Sequence, residues 1–308
     1  MFPEGDPARL DPAQVRRAAE RAAATYDEAA VLHREVGRRM AERLALVKLQ
    51  PARILDAGCG TGEALTELRA RYPEATILGL DVAVSMVAAA KLRAAALSAP
   101  RGTMLAKLLG ASTVPRGESR FVCADATRLP LAASCVGLVW SNLMLQSIEE
   151  PTAAFTEFLR VLNVGGLLVF TTLGPDTLKE LRAAFAGIDR ATHVSRFIDM
   201  HDLGDMLVQT GFADPVMDAE TITVTYADAL SMMREIKAAG EHNATLGRPR
   251  GMMGRARWQR MLDAMERSRR DGRLPATCEV VYGHAWKPEP RFAADGSAIV
   301  RFERQRGR

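Results

Sequence analysis

The run Ile54-Leu55-Asp56-Ala57-Gly58-Cys59-Gly60-Thr61-Gly62 constrains this chain more than any other. The apolar stretch 52–57 predicts a buried strand, and 62–71 predicts the start of a helix. Between them stand three glycines at alternate positions. Glycine has no Cβ, so such a loop turns sharply and lets a ligand lie against bare backbone. The helix that follows offers unpaired N–H groups. The spacing is G-x-G-x-G, not the G-x-G-x-x-G that seats a pyrophosphate on a helix end. Asp56 stands two residues before the first glycine. A carboxylate there repels a phosphate and suits a cation.

S-adenosylmethionine meets that demand, since it carries a sulfonium and an α-ammonium and no phosphate. Two further segments repeat the strand-then-acid pattern. Residues 75–81 predict a second strand ending in Asp81, 25 positions after Asp56. That is close to the spacing at which a second-strand acid meets ribose hydroxyls. Residues 121–126 predict a third strand with Asp125 at its end, placed to accept from an adenine amino group. Any one of these acids alone could be a cap or a surface residue. Three at successive strand ends mark one binding edge, because ligands of open α/β sheets sit outside the carboxyl ends of the strands. Cys59, Val82 and Ala126 adjoin these residues and complete the expected cofactor contacts. Strands are also predicted at 136–142 and 164–170.

Over residues 40–175 the chain resembles the class I S-adenosylmethionine-dependent methyltransferases. Asp56, Gly58, Gly60 and Gly62 match the first motif, Asp81 the ribose acid and Asp125 the adenine acid. The resemblance implies an α/β, Rossmann-like fold with a seven-stranded sheet, and S-adenosyl-L-methionine as cofactor.

At 308 residues the chain can bury a substantial core, and 48% apolar with 25% charged residues argues against wholesale disorder. No apolar run approaches membrane-spanning length. The N-terminus lacks the basic-then-apolar order of a signal peptide. Four cysteines form no C-x-x-C, which suggests reduced thiols and a cytoplasmic setting. Five scattered histidines give no H-x-x-x-H pair, so no metal is expected. The expected organisation is an N-terminal helical segment at 1–48, holding one or two helices, then a cofactor-binding core at 49–173. Residues 174–287 would supply cap helices and the remaining strands, and 288–308 a mobile tail. Helices are predicted at 84–95, 151–162, 176–186, 200–210, 227–239 and 254–270, and strands at 214–226 and 277–286. Residues 96–118 read as an insertion with a short helix at 103–109.

Segments outside the core narrow the resemblance. Residues 170–181, His193-Val194-Ser195-Arg196-Phe197, 199–205 and 274–286 resemble the malonyl-acyl-carrier-protein O-methyltransferases of biotin synthesis, as does Ser141-Asn142-Leu143. The family also has mitochondrial relatives linked to respiratory complex I assembly. A SAM-binding assembly factor or protein-modifying enzyme is therefore the alternative. The biotin resemblance implies methyl transfer to the free carboxylate of a malonyl group on acyl carrier protein, or on coenzyme A. A carboxylate is ionised at pH 7 and needs no general base.

The acceptor carboxylate needs a counter-charge as it leaves water. Arg196 is the candidate, because guanidinium grips carboxylate with two prongs; a surface arginine is the competing reading. Phe197 and His193 flank it. Tyr26 either closes over cofactor or acceptor, or packs a helix. Asn142 and, more weakly, Gln146 are candidates for orienting the acceptor or the methionine end of the cofactor. The run Met144-Leu145-Gln146-Ser147-Ile148 departs from many relatives, which carry an aromatic or histidine there. Residues 248–273 hold nine arginines against three acids and form a candidate docking surface for an acidic carrier protein. A solvated helix face is the plainer alternative. A sequence pI near 9.0 raises nucleic acid as a substrate, but no Asn/Asp-Pro-Pro-Tyr/Phe tetrapeptide for a flipped base is present.

Overall fold

The computed structural model describes residues 6–98 and 117–290. The helix expected at 103–109 and, from residue 291 onward, the tail expected at 288–308 lie outside the described residues.

Among the described residues a single seven-stranded sheet runs in the order β3-β2-β1-β4-β5-β7-β6. Its strands are β1 (Arg53–Ala57), β2 (Thr76–Asp81), β3 (Ser119–Cys123), β4 (Val136–Ser141), β5 (Leu162–Leu173), β6 (Ala213–Tyr226) and β7 (Leu274–Trp286). The first five are parallel, and β7 lies antiparallel between β5 and β6. The central strands are apolar on both faces because helices cover both. On one face Leu55, Val139, Leu168 and Phe170 meet Phe155 and Phe158 of α6 (Pro151–Val161). On the other, Ile54, Leu138, Trp140 and Leu167 meet Val36, Met40 and Leu44 of α3 (Val31–Leu44) and Leu65 and Leu68 of α4 (Leu65–Arg71).

The N-terminal segment forms three helices, not one or two: α1 (Pro12–Ala22), α2 (Tyr26–Ala29) and α3. Glu20 of α1 accepts the Val84 and Ser85 N–H groups at 2.7 and 3.0 Å, so it caps α5 (Val84–Ser98) from across the fold. That cap fixes α1 beside the ends of β2 and β3.

A separate apolar cluster forms where α7 (Lys179–Ala186), α9 (Ala229–Ala238) and α10 (Arg255–Glu266) meet. It buries Leu181, Phe185, Met232, Met261, Met265 and Leu274. Helix α8 (Met200–Thr210) instead packs on the sheet through Leu203 and Leu207, and ends at Gly211 with φ 104°. Most predicted bounds move by a few residues, and two shifts bear on the ligand edge. The helix expected from 62 begins at Leu65, since 61–64 are still turning. The third strand spans 119–123 rather than 121–126, so Asp125 lies beyond the strand. Its Oδ1 accepts the Thr127 N–H and hydroxyl, both at 2.8 Å, and that turn ends the extended backbone.

Candidate functional site

Three glycines of the loop have positive φ: Gly58 at 75°, Gly60 at 51° and Gly62 at 82°. Only glycine holds that backbone cheaply. At Gly58 a Cβ would also lie 2.3 Å from Met144 Cγ. The Gly58 and Cys59 N–H groups both donate to Leu80 O, at 2.8 and 2.9 Å. The Gly60 N–H donates to Asp81 Oδ2 at 3.0 Å, and the Ala83 N–H to Asp81 Oδ1 at 2.9 Å. Asp81 is therefore a tether for the loop as well as the expected ribose acid, each oxygen keeping a further lone pair. The Cys59 thiol is buried, and its N–H is committed to Leu80 O.

A cavity of about 320 Å³ opens at this edge. Of the expected cofactor residues, Gly58, Asp81, Val82, Asp125 and Ala126 line it and Cys59, Gly60, Gly62 and Asn142 do not; Met144, Ser147, Ile148, Glu149, Leu10 and Val15 line it too. Asp56 sits behind the loop, 2% exposed, and its Oδ2 has no hydrogen-bond partner. Burial, with the charge of Asp81 second, pushes the Asp56 carboxyl up to about 7. A buried carboxylate with an unbonded oxygen is costly to ionise, and an opposite charge would lower that cost.

Tyr26 lies across the loop, with ring atoms 3.7–3.8 Å from where a Gly60 Cβ would stand. It is held there by its neighbour. Asp27 accepts the Thr61 hydroxyl at 2.6 Å and pairs with Arg93 at 2.6 Å, while Arg93 also donates to Thr61 O. On its other side Tyr26 meets the edge of His33, 5.4 Å between ring centroids. His33 Nε2 is 3.1 Å from Glu241 Oε1.

Asn142 has mostly structural duties: Nδ2 donates to His33 O at 2.9 Å, and Oδ1 accepts the Thr171 hydroxyl at 2.8 Å. The next residue, Leu143, is held at φ 48° with its N–H donating to Thr171 Oγ1 at 2.9 Å. A leucine at positive φ is strained and stays only where neighbours fix it. This bend aims 144–148 at the ligand edge.

A second cavity, about 540 Å³, lies under the cap helices. Leu181, Phe185, Phe197, Met233, Met253 and Trp258 give it apolar walls, and Gln146, His193 and Glu241 give it polar ones. His193 stacks flat on Phe185 at 3.7 Å and bonds Asp189 at 2.8 Å. Leu10, Val15 and Ser147 line both cavities and so stand between them. Of the acceptor candidates, His193, Phe197 and Gln146 thus gather at this cavity. Arg196 borders a small adjoining cleft that Gln146 and Phe197 also line. It stands 3.9 Å from Asp6, its side chain 63% exposed. The residues shared by both cavities, the Asp27–Arg93 clamp and the His33–Glu241 pair had no signal in the sequence, because each pairing crosses elements far apart in the chain.

Residues 55–170 match the methyltransferase domain family. The malonyl-[acyl-carrier protein] O-methyltransferase of Laribacter hongkongensis is 55% identical over 95% of this chain and 96% of its own length. That of Gallionella capsiferriformans is 51% identical, again over 95% and 96%. The chain belongs to the malonyl-[acyl-carrier protein] O-methyltransferase family. The YcgJ protein of Bacillus subtilis shares the fold, with TM-score 0.53 at 13% identity over 82% of this chain and 98% of that one. The family supplies no support for the assembly-factor alternative, since both relatives carry the transferase name. S-adenosylmethionine is the cofactor of this fold, and the buried Asp56, the tethered loop and Asp81 fit it. No helix among the described residues is long and apolar enough to cross a membrane, and no cluster there could hold a metal ion.

Proposed function

We propose that this chain moves a methyl group to the free carboxylate of a malonyl group on acyl carrier protein, starting the pimeloyl chain of biotin in the cytoplasm. Its 55% identity to a full-length relative of that name carries the reading. Bound S-adenosylmethionine supplies an electrophilic methyl group on a sulfonium. The chain's residues then have two tasks. Asp56 and Asp81 hold the donor from the sheet side, and Tyr26 covers it over Gly60. Leu10, Val15 and Ser147, which line both cavities, stand between donor and acceptor. No proton has to be removed from an ionised carboxylate, so no base is required. Alignment of this kind contributes on the order of 7–11 kcal/mol.

The testing experiment is mass spectrometry of malonyl-acyl carrier protein incubated with the protein and S-adenosylmethionine. A gain of one methylene on the malonyl group supports the reading. Bound cofactor with no gain rejects it and points to another acceptor.

Arg196 is proposed as the partner of the acceptor carboxylate, acting through the cleft it shares with Gln146 and Phe197. Truncating one member of a desolvated charge pair costs about 2–5 kcal/mol. Arg196→Ala is expected to lower kcat/KM for the acceptor by at least about thirtyfold, with cofactor affinity unchanged. Equal loss of both would assign Arg196 to folding instead.

Carrier docking is proposed for part of 248–273. Arg248 is turned inward on Asp11 at 2.9 Å, Arg269 bonds Glu266 and Ala227 O, and Arg273 bonds Thr225 O. Arg250, Arg255 and Arg257 are exposed, next in sequence to the cavity residues Pro249, Met253 and Trp258, and Met252 is fully exposed beside them. Reversing Arg255 and Arg257 to Glu is expected to raise KM for the carrier-bound acceptor about tenfold at low salt and less at high salt. Steady-state kinetics across ionic strength would refute docking here if KM stayed constant.

A further inference from the structure

We propose that Glu149 is a positioning residue for methyl transfer, holding Leu10 as the wall between the cofactor cavity and the acceptor cavity. The inference rests on the methyl-transfer reading above. Leu10 is one of the residues that line both cavities, and it lies just outside α1, whose N-cap is Asp11. Its own helix therefore does not hold it. Two attachments do. On the sheet side Glu149 Oε2 accepts the Leu10 N–H at 2.6 Å, and Oε1 accepts Arg9 Nε at 2.9 Å. On the cap side Leu10 bridges to Thr245, with the Asp11 N–H on Ala244 O at 2.8 Å and the Leu246 N–H on Arg9 O at 2.7 Å.

Glu149 follows the turn that leaves β4, and its side chain is 13% exposed. Both of its oxygens are committed to Arg9 and Leu10. The carboxylate borders the cofactor cavity, yet its hydrogen bonds go to the N-terminal segment that crosses over that cavity. Residues 9–11 are thereby fastened to the cofactor floor by one side chain and to the cap by a short backbone ladder. The wall can hold donor and acceptor in line only while both fastenings persist. Departure of S-adenosylhomocysteine past Leu10 requires the Glu149 fastening to open. In-line transfer tolerates little slack, since a displacement of about 1 Å can cost about a hundredfold in rate.

The test uses the full chain with Glu149→Ala and Glu149→Gln. The glutamine keeps an oxygen for the Leu10 N–H, whereas alanine leaves that donor without an acceptor. Glu149→Ala is expected to speed S-adenosylhomocysteine dissociation, followed by a chase without acceptor, about tenfold. It should lower kcat by a similar factor while the melting temperature stays near that of the parent. Glu149→Gln should remain within about threefold of the parent on both rates. Unchanged dissociation in Glu149→Ala overturns the proposal. So does equal impairment of both variants with equal loss of melting temperature, which would mark a folding role. If the alanine variant does not fold, Glu149→Leu, which keeps side-chain bulk but offers the Leu10 N–H no acceptor, carries the same test, and unchanged dissociation there overturns it. Because dissociation is read without acceptor, this arm stands even if mass spectrometry rejects the malonyl assignment.

Discussion

Asp81→Ala is expected to lose cofactor binding by about a hundredfold or more, the largest effect of any single change at the site. Two backbone donors, Gly60 N–H and Ala83 N–H, lose their acceptor at once. Each orphaned hydrogen bond to a charged group is worth about 1.5–3 kcal/mol. The loop would then relax away from the geometry that Gly60 holds at φ 51°, and the ribose would lose its acid as well. Equilibrium dialysis with labelled cofactor reads the affinity, and thermal melting reads the accompanying loss of stability. Affinity within a few-fold of the parent would mean that neither the tether nor the ribose contact operates.

The second large effect is a pH dependence set by Asp56. Its folded carboxyl sits up at about 7 because it is buried, with Asp81 adding repulsion; in the unfolded chain it returns to the ordinary value of 3.8. Between those values the folded state holds the extra proton. Its contribution therefore favours the fold below about pH 4, is lost as pH rises to about 7, and stays lost above. Cofactor binding has the opposite sign. The ionised Asp56 attracts a cation and the protonated form does not, so affinity is expected to rise through neutral pH and flatten above about 8. Near pH 6.5 binding should release up to about three quarters of a proton, visible as a calorimetric enthalpy that changes with the buffer's ionisation heat. Asp56→Asn should abolish both the proton release and the pH slope, while melting at a higher temperature than the parent at pH 8. A parent enthalpy independent of buffer would refute the assignment.

The parts of this site written locally were legible before the structure. Asp56, the three glycines and Asp81 lie in strand–loop units whose apolar runs and spacing are read within a few residues. Asp125 reads as a strand end in the sequence; it lines the cavity but lies beyond the strand. β3 is a weakly buried edge strand, and the Asp125 side chain turns its own backbone through Thr127. Tyr26 and Arg196 could be nominated, but what surrounds them comes from other elements: Arg93 beside Asp27 under Tyr26, and Asp6 near Arg196. Leu10 and Glu149 are 139 positions apart and share no pattern. Their pairing exists only after the sheet has brought the end of β4 under the N-terminal segment. Asn142 is singled out through the Ser141-Asn142-Leu143 resemblance as a residue to orient acceptor or cofactor. Its amide serves chiefly to fix the bend at Leu143, which no spacing rule announces.

The last strand of the sheet is an interior one. Among the described residues β6 pairs only with β7, and β7 joins it to β5. During synthesis, 213–226 therefore leaves the ribosome with no neighbour to bond along either side, and β5 waits with one open flank. Such unpaired edges invite pairing with other nascent chains. The whole sheet closes only when residue 286 is free of the exit tunnel, so a ribosome stalled before that point would display two adhesive strands rather than a smaller folded unit.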